Sequence, residues 1–381
     1  MSHILVKGLH KQFAGKPPTT AIDDLDFAIE AGEFIVLLGP SGCGKTTTLR
    51  CLAGLETAGS GAISLGGTTW FDSSRRIALP PEKRNIGMVF QSYALWPHLT
   101  VRKNIGYPLQ ARGTKGPEAA KRVEEAAALV DCATLLDRYP AQLSGGQQQR
   151  VSLARSLVSR PDLILFDEPL SNLDAKLRDD VRAHLHELHA RLKFTAVFVT
   201  HDQSEALALA DRVAVMRAGR FEQIGTPFDV FERPATEYVA DFIGLSNRLP
   251  AARIDGVTRV SGVEVEGLVL ASAQHDEFVL RIRPEDLRLA PDRGSLSGLT
   301  TVAGTVIDSV FGGRHLDVYV AVGGLRLHAR IEARTTDDWA RALRGGEPVV
   351  VGFCPDFARA YGLENEGSRL ITVQPLVATK D

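Results

Sequence analysis

Gly39-Pro40-Ser41-Gly42-Cys43-Gly44-Lys45-Thr46-Thr47 spells G-x-x-x-x-G-K-[ST]. It lies between a short apolar run, Glu33-Phe34-Ile35-Val36-Leu37-Leu38, and a helix-like run, Thr47-Thr48-Leu49-Arg50-Cys51-Leu52-Ala53. Strand, loop and helix together read as a phosphate-binding loop. Glycines let the backbone fold tightly around a polyphosphate, and the helix N-terminus adds its positive dipole end. Lys45 is then placed to reach the β- and γ-phosphates, and the Thr46 hydroxyl to ligate Mg²⁺. The alternative, a glycine-rich turn that matches by chance, is weakened by the strand and helix on its two sides.

Working outward, 381 residues give room for about two or three domains. Lys+Arg 44 against Asp+Glu 46 leaves a net charge of -2, so no global basic field exists to hold nucleic acid. Met1-Ser2-His3-Ile4-Leu5-Val6-Lys7 lacks the apolar core of a signal peptide, and no apolar run approaches the roughly 20 residues that span a bilayer. A soluble, cytoplasmic chain is expected. Cys43, Cys51, Cys132 and Cys354 fall at neither metal-ligand nor redox spacing, so they are expected to be reduced and mostly buried. Cys43 reads as a small residue that fits the phosphate loop.

Residues 3–38 read as short strands, with His3-Ile4-Leu5-Val6 and Asp26-Phe27-Ala28-Ile29 alternating and Gly15 to Pro18 breaking the pattern. Phe13 sits just before the break, either as a stacking surface for a base or as an ordinary core aromatic. Ala62-Ile63-Ser64-Leu65 and Thr68-Thr69-Trp70-Phe71 flank Gly66-Gly67 as a hairpin. Ile86-Gly87-Met88-Val89-Phe90 reads as a buried strand delivering Gln91 at its carboxyl end, where ligands bind in open α/β sheets. Ser92 to Val101 is dense in aromatics and too broken for a regular element. It is a local core plug or, slightly favoured, a docking surface for a partner. Residues 117–138 are expected to be helical.

Leu143-Ser144-Gly145-Gly146-Gln147 opens a further helix that runs to Val158. Ser144 on its own reads as a plain N-cap, with an anion-binding helix start as the other reading. Leu163-Ile164-Leu165-Phe166 is an apolar strand ending in Asp167 and Glu168. This pair suits two tasks, with Asp167 holding the shell of a Mg²⁺ ion and Glu168 activating the water that attacks a γ-phosphate. Ser171-Asn172-Leu173-Asp174 caps a long helix on which Leu177, Val181, Leu185, Leu188 and Leu192 share a face. Its histidines, His184, His186 and His189, lack the spacing of a metal pair and are expected to be solvated. Thr195 to Val199 is another buried strand, ending at Thr200-His201-Asp202, and His201 is read as a γ-phosphate sensor rather than a core histidine.

A hairpin around Ala218-Gly219-Arg220 and helices at 227–232 and 236–243 close this unit, and Gly244-Leu245-Ser246-Asn247 reads as a linker. Beyond it come short alternating strands at 251–254, 278–282, 287–290, 302–307, 316–322, 325–331 and 349–353. The glycine pairs Gly312-Gly313, Gly323-Gly324 and Gly345-Gly346 separate several of them, which predicts an all-β barrel. It carries no catalytic constellation.

In this order, residues 39–46, Gln91, Leu143–Gln147, Asp167-Glu168, Ser171–Asp174 and His201 resemble the Walker A, Q-loop, signature, Walker B, D-loop and H-loop of the ATP-binding cassette family. The resemblance covers residues 3–243. It implies an α/β P-loop NTPase domain over 1–243, with a helical subdomain at about 92–160, followed by an OB-like domain over 244–381. It implies ATP and Mg²⁺ as cofactors and Phe13 as the adenine-stacking aromatic. Glu168, His201 and Gln91 would be catalytic. Gly39, Pro40, Ser41, Gly42, Cys43, Gly44, Lys45, Thr46 and Thr47 would hold the nucleotide, and Thr46, Gln91 and Asp167 the metal.

The family's head-to-tail dimer implies that Ser144, Gly145, Gly146 and Gln147, with Asp174, reach the ATP of a second copy or of a similar subunit. The Gln91–Val101 region would dock an integral membrane permease, with a periplasmic binding protein acting indirectly and no nucleic acid involved. The work would be done peripherally, at the cytoplasmic face of the plasma membrane. Arg281-Ile282-Arg283-Pro284-Glu285-Asp286 resembles a signature of importer subunits with transport-associated OB-like modules. The Trp70–Arg84 and Ser92–Val101 segments are more similar to the ferric-iron and polyamine groups than to sugar importers. The rivals are a non-transport cassette ATPase, which would usually need a coiled coil, tandem cassettes or a basic surface, and an ATP-switched regulatory module without turnover.

Overall fold

A computed structural model describes residues 4–254, 257–260, 263–264, 277–333, 338–362 and 370–371. His3, the first residue of one expected strand, lies outside these, as do parts of the expected barrel. The chain divides into two compact units, Met1–Val230 and Phe231–Asp381.

In chain order the first unit contains β1 (Ile4–Phe13), β2 (Thr19–Ile29), β3 (Phe34–Leu38), α1 (Lys45–Ala53), β4 (Ser60–Leu65), β5 (Thr68–Asp72), β6 (Ile77–Ala78) and β7 (Ile86–Val89). Then follow α2 (Val101–Ala111), α3 (Gly116–Leu129), α4 (Gly145–Leu157), β8 (Leu163–Asp167), α5 (Ala175–Leu192), β9 (Ala196–Thr200), α6 (Gln203–Leu209), β10 (Arg212–Arg217) and β11 (Arg220–Gly225). One sheet runs β2-β1-β4-β5-β6 and is antiparallel. The other runs β11-β10-β3-β9-β8-β7, parallel except at the β11 edge.

Every residue of β3 and β9 is buried, which is why these strands read as unbroken apolar runs: a parallel sheet has both faces covered. Leu38 pairs with Thr200 and Val199 with Asp167. This register brings the residues that follow β3, β9 and β8 out along one carboxyl edge, where an open α/β sheet binds its ligand.

Two local expectations need correction, and one helix lies where no element was expected. The helix expected at 117–138 ends at Leu129, because Asp131 takes a left-handed φ of 56° and the chain turns back through Cys132 N–H to Ala127 O. The segment after Thr100 forms α2, capped by the Thr100 hydroxyl and buried at Val101, Asn104, Ile105 and Leu109. Gly106 and Pro108 hide that helical spacing in the sequence. His189 is 5% exposed rather than solvated; its ring packs edge-on to Phe34 and Phe194, and Nε2 lies 3.1 Å from Gly32 O. His186 is exposed and His184 half-buried.

The division falls within α7 (Pro227–Glu232), ahead of the linker expected at Gly244–Asn247, and α8 (Glu237–Phe242) packs with the second unit. The buried arginines of the 281–286 segment explain this. Arg281 bonds Glu237 Oε1 at 2.9 Å and Asp241 Oδ1 at 2.6 Å, and Arg283 lies over the Phe231 ring while donating to the Phe231 carbonyl. The second unit continues with β12 (Asn247–Ile254), β13 (Val257–Val260), β14 (Val263–Glu264), β15 (Glu277–Ile282), β16 (Leu287–Ala290), β17 (Thr300–Phe311), β18 (His315–Val322) and β19 (Leu325–Glu332). It ends with a short helix, α9 (Asp338–Ala342), then β20 (Pro348–Phe353), β21 (Arg359–Gly362) and β22 (Leu370–Ile371). Two antiparallel sheets result, β14-β13-β12-β15-β21-β22 and β16-β20-β17-β18-β19, sharing a large apolar core. The seven expected strands are present; β13, β14, β21 and β22 are additional.

On the polar face of β18, Asp317 accepts from Arg330 Nε at 2.8 Å and His328 Nε2 at 2.7 Å, and lies 3.1 Å from His315 Nε2. Burial pushes its carboxyl up, but the bonds from Arg330 and His328 outweigh this and hold it at about 2. A depressed carboxylate stabilises the fold above its unfolded value and loses that contribution as pH falls through the folded one. Asp317→Asn should therefore cost about 1 kcal/mol or less near neutral pH, because solvent screens the pair with the half-exposed Arg330, and denaturant melts should show the difference shrinking from about pH 4 downward. A difference independent of pH would contradict the ion-pair account.

Candidate active site

The loop between β3 and α1 is shaped by close backbone approach. Gly44 has φ 110°, and a Cβ there would sit 2.1 Å from Ala21 O; one on Gly39 would sit 2.5 Å from Met216 O. No side chain caps α1, so its first N–H groups are left for an incoming acceptor. Lys45 is only 4% exposed, and its ammonium donates to Gly39 O at 2.7 Å and Pro40 O at 2.9 Å, with Cys43 Sγ at 3.8 Å. Among the described residues no carboxylate pairs with it. A buried cation held by neutral acceptors keeps the capacity to meet an anion. Cys43 is buried in the same turn, as its small size requires, and the four cysteines are free thiols.

A cavity of about 210 Å³ is lined by Ser41, Gly42, Gly44, Lys45, Thr46 and Glu168, among others. Beside it the Thr46 hydroxyl donates to Asp167 Oδ1 at 3.3 Å, across from the end of β8. Burial raises the Asp167 carboxyl above its ordinary value, against the Thr46 bond. A hydroxyl and a carboxylate so placed form a hard oxygen pair of the kind that would hold Mg²⁺. Among the described residues no group of three or more His, Cys, Asp or Glu is placed to hold a metal.

Glu168 occupies the left-handed region at φ 44°, a costly conformation for a residue with a side chain. Its N–H bonds Val199 O at 3.1 Å, and its carbonyl accepts from the Ser171 hydroxyl at 2.9 Å. The carboxylate lies 3.3 Å from His201 Nδ1. The register of β8 and β9 thus joins Glu168 with His201, as Thr46 joins Asp167. Phe13 is 40% exposed with Lys11 Nζ 4.9 Å from its ring centroid, so the core alternative is set aside.

Other expected residues lie elsewhere in the chain's own surface. Gln91 follows β7 exposed, and its carbonyl accepts from Asn172 Nδ2 at 2.9 Å. Ser144 and Gln147 form a reciprocal capping box at the start of α4, with bonds of 3.4 and 3.0 Å. Asp174 caps α5 through Leu177 N–H at 3.0 Å. Ser144, Gly145, Gly146, Gln147 and Asp174 are not among the residues lining the phosphate-loop cavity.

The sequence reading missed the residues that hold the aromatic segment. Tyr93 and Ala94 have positive φ, and their carbonyls accept from Arg155 at 2.9 and 2.6 Å, with Ser152 Oγ also on Tyr93 O at 3.0 Å. Ser156 Oγ donates to Met88 O at 2.9 Å. Ser152, Arg155 and Ser156 form a polar stripe at helical spacing on α4, and that stripe was the available signal. The segment is pinned from below, yet Trp96 and Tyr107 stay exposed beside a cleft of about 600 Å³ that includes Met88, Phe90, Leu95 and Pro108.

Residues 22–171 match the ABC transporter family and residues 280–360 the TOBE domain. The chain is 47% identical over 306 residues to the Fe(3+) ions import ATP-binding protein FbpC of Rhizobium etli, covering 79% of this chain and 83% of that protein. It is 42% identical over 359 residues to the sn-glycerol-3-phosphate import ATP-binding protein UgpC of Cupriavidus metallidurans, covering 92% and 90%. Among solved structures it resembles the ATP-binding cassette MJ0796, described as a dimer in a post-hydrolysis state with ADP and Pi. The TM-score is 0.51 at 30% identity, over 59% of this chain and 98% of that one. A phosphate loop, an acidic strand end and a C-terminal TOBE domain in this order, with such identity over most of both chains, place the protein: it belongs to the ABC transporter family, as an ATP-hydrolysing subunit.

Proposed function

We propose that two copies of this chain hydrolyse ATP at shared sites, and that their closure drives a permease importing a solute across the plasma membrane from its cytoplasmic face. The observation that carries this is the buried Lys45 ammonium, held by two carbonyls and the Cys43 sulfur in a loop whose Gly39 and Gly44 admit no Cβ. The import names of the relatives support the direction of transport.

In this reading the loop N–H groups and Lys45 bind the β- and γ-phosphates, and Phe13 stacks on the adenine. Thr46, Asp167 and Gln91 would hold Mg²⁺, which when bound supplies charge stabilisation to the phosphates. Glu168 takes the proton of the attacking water on its carboxylate, and His201, 3.3 Å away, orients that carboxylate toward the γ-phosphate. Ser144, Gly145, Gly146 and Gln147 at the start of α4, with Asp174, serve the ATP held by the partner copy. A helix start with two glycines suits an anion even while Ser144 caps it. The exposed Trp96 and Tyr107 with their cleft form the permease-docking surface. A periplasmic binding protein delivers the solute, for which we favour ferric iron or a polyamine. Uptake assays with ferric iron, spermidine and sn-glycerol 3-phosphate separate these from the sugar-phosphate alternative.

Lys45→Ala should weaken ATP binding at least about tenfold by calorimetry, since a charged hydrogen bond to phosphate is lost. Parental affinity would contradict the phosphate-loop assignment. Glu168→Gln should keep ATP affinity, accumulate an ATP-bound dimer on gel filtration and lower turnover on the order of 100-fold or more. Parental phosphate release would remove Glu168 as the base.

A further inference from the structure

The His201–Glu168 contact is held from two sides, and one side chain touches both holders. Arg178, in the first turn of α5, donates from Nε to Leu170 O at 3.4 Å and from Nη2 to Leu173 O at 3.1 Å. The same guanidinium lies 3.7 Å from Asp202 Oδ2 through Nη1 and 3.7 Å from Glu205 Oε1 through Nε. Leu170 and Leu173 belong to the segment after Glu168, in which Ser171 bonds the Glu168 carbonyl and Asn172 the Gln91 carbonyl. Asp202 and Glu205 flank His201 on the other side. Glu205 is 3% exposed and accepts from the Thr200 hydroxyl at 2.6 Å, and that hydroxyl accepts from Asp202 N–H at 3.0 Å. Asp202 Oδ1 in turn caps α6 through Ser204 N–H at 2.8 Å and Glu205 N–H at 3.2 Å.

The geometry points to Arg178 as a positioning residue that keeps the Leu170–Leu173 segment and the Thr200–Asp202 turn in register, so that His201 stays against Glu168. This rests on the roles given to His201 and Glu168 above. The requirement is geometric as well as electrostatic. A planar guanidinium meets two carbonyls and two carboxylates at fixed angles, whereas an ammonium is a point charge without that fork. The segment that Arg178 grips runs directly into Asp174, which is assigned to the partner's nucleotide. Contact with a second copy at that segment is thereby mechanically joined to His201.

The test compares ATP hydrolysis by the full chain as parent, Arg178→Met, Arg178→Lys, His201→Ala and the double variant Arg178→Met with His201→Ala. Arg178→Met and Arg178→Lys should each lower kcat roughly tenfold, with KM for ATP changed by less than about twofold. In the His201→Ala background Arg178→Met should lower kcat no further, because the residue acts through His201. An equal loss in both backgrounds would overturn the proposal and leave the His201 reading standing. A His201→Ala chain with parental kcat would overturn that reading and the proposal with it. Arg178→Lys retains a cation beside Asp202 and Glu205 and so keeps the test available if Arg178→Met does not fold; parental kcat in folded Arg178→Lys would overturn the proposal.

Discussion

A buried ammonium without a carboxylate partner among the described residues is the constraint on which the phosphate loop and its surroundings depend. Lys45 cannot be withdrawn from water at low cost unless carbonyls or an anion receive it. The loop satisfies it with Gly39 O and Pro40 O, which demands a backbone turned tightly enough that Gly39 and Gly44 admit no Cβ. That turn is held in place because β3 is buried on both faces between β10 and β9. Parallel pairing then brings the ends of β8 and β9 to the same edge, and with them Asp167, Glu168 and His201. A core of apolar strands thus presents one cation and an acidic pair where a polyphosphate and its metal would meet them.

The same edge is also joined to the rest of the unit by side chains reaching backbone carbonyls. Asn172 holds Gln91, Arg178 holds Leu170 and Leu173, and Arg155 holds Tyr93 and Ala94. Bonds of this kind fix loops at modest net energy, about 1 kcal/mol for a neutral pair and more for a charged donor. Helix α4 begins at the Ser144 capping box and, along its length, grips the aromatic segment and β7. One rigid element therefore links the helix start assigned to the partner's nucleotide with the surface assigned to the permease.

Much of this was legible in the sequence because its physical signals are local. The phosphate loop declares itself through glycine spacing beside an apolar strand, and the strand ends of β8 and β9 through a change from apolar to charged residues. In the second unit β18 shows as two-residue alternation, with Leu316, Val318, Val320 and Val322 all buried. What failed to show depends on backbone conformation or distant partners. A left-handed Asp131 ends α3, Gly106 and Pro108 conceal α2, and His189 is buried by aromatic neighbours from β3 and from the turn before β9. The roles of Arg281 and Arg283 in tying residues 231–241 to the second unit required the fold, since their partners lie some 40 to 52 positions away. Arg178 carries no local signal, because Asp202 and Glu205 reach it from another element.

The central claim is that each ATP site is shared between two copies, and mixing two defective chains tests it most directly. A Lys45→Ala chain has a broken phosphate loop and an intact α4 start; a Gly146→Asp chain has the reverse. If each site takes its loop from one copy and its helix start from the other, the mixed dimer contains one intact site. Phosphate release should then rise well above that of either variant alone. A mixture no more active than its components would contradict the shared site.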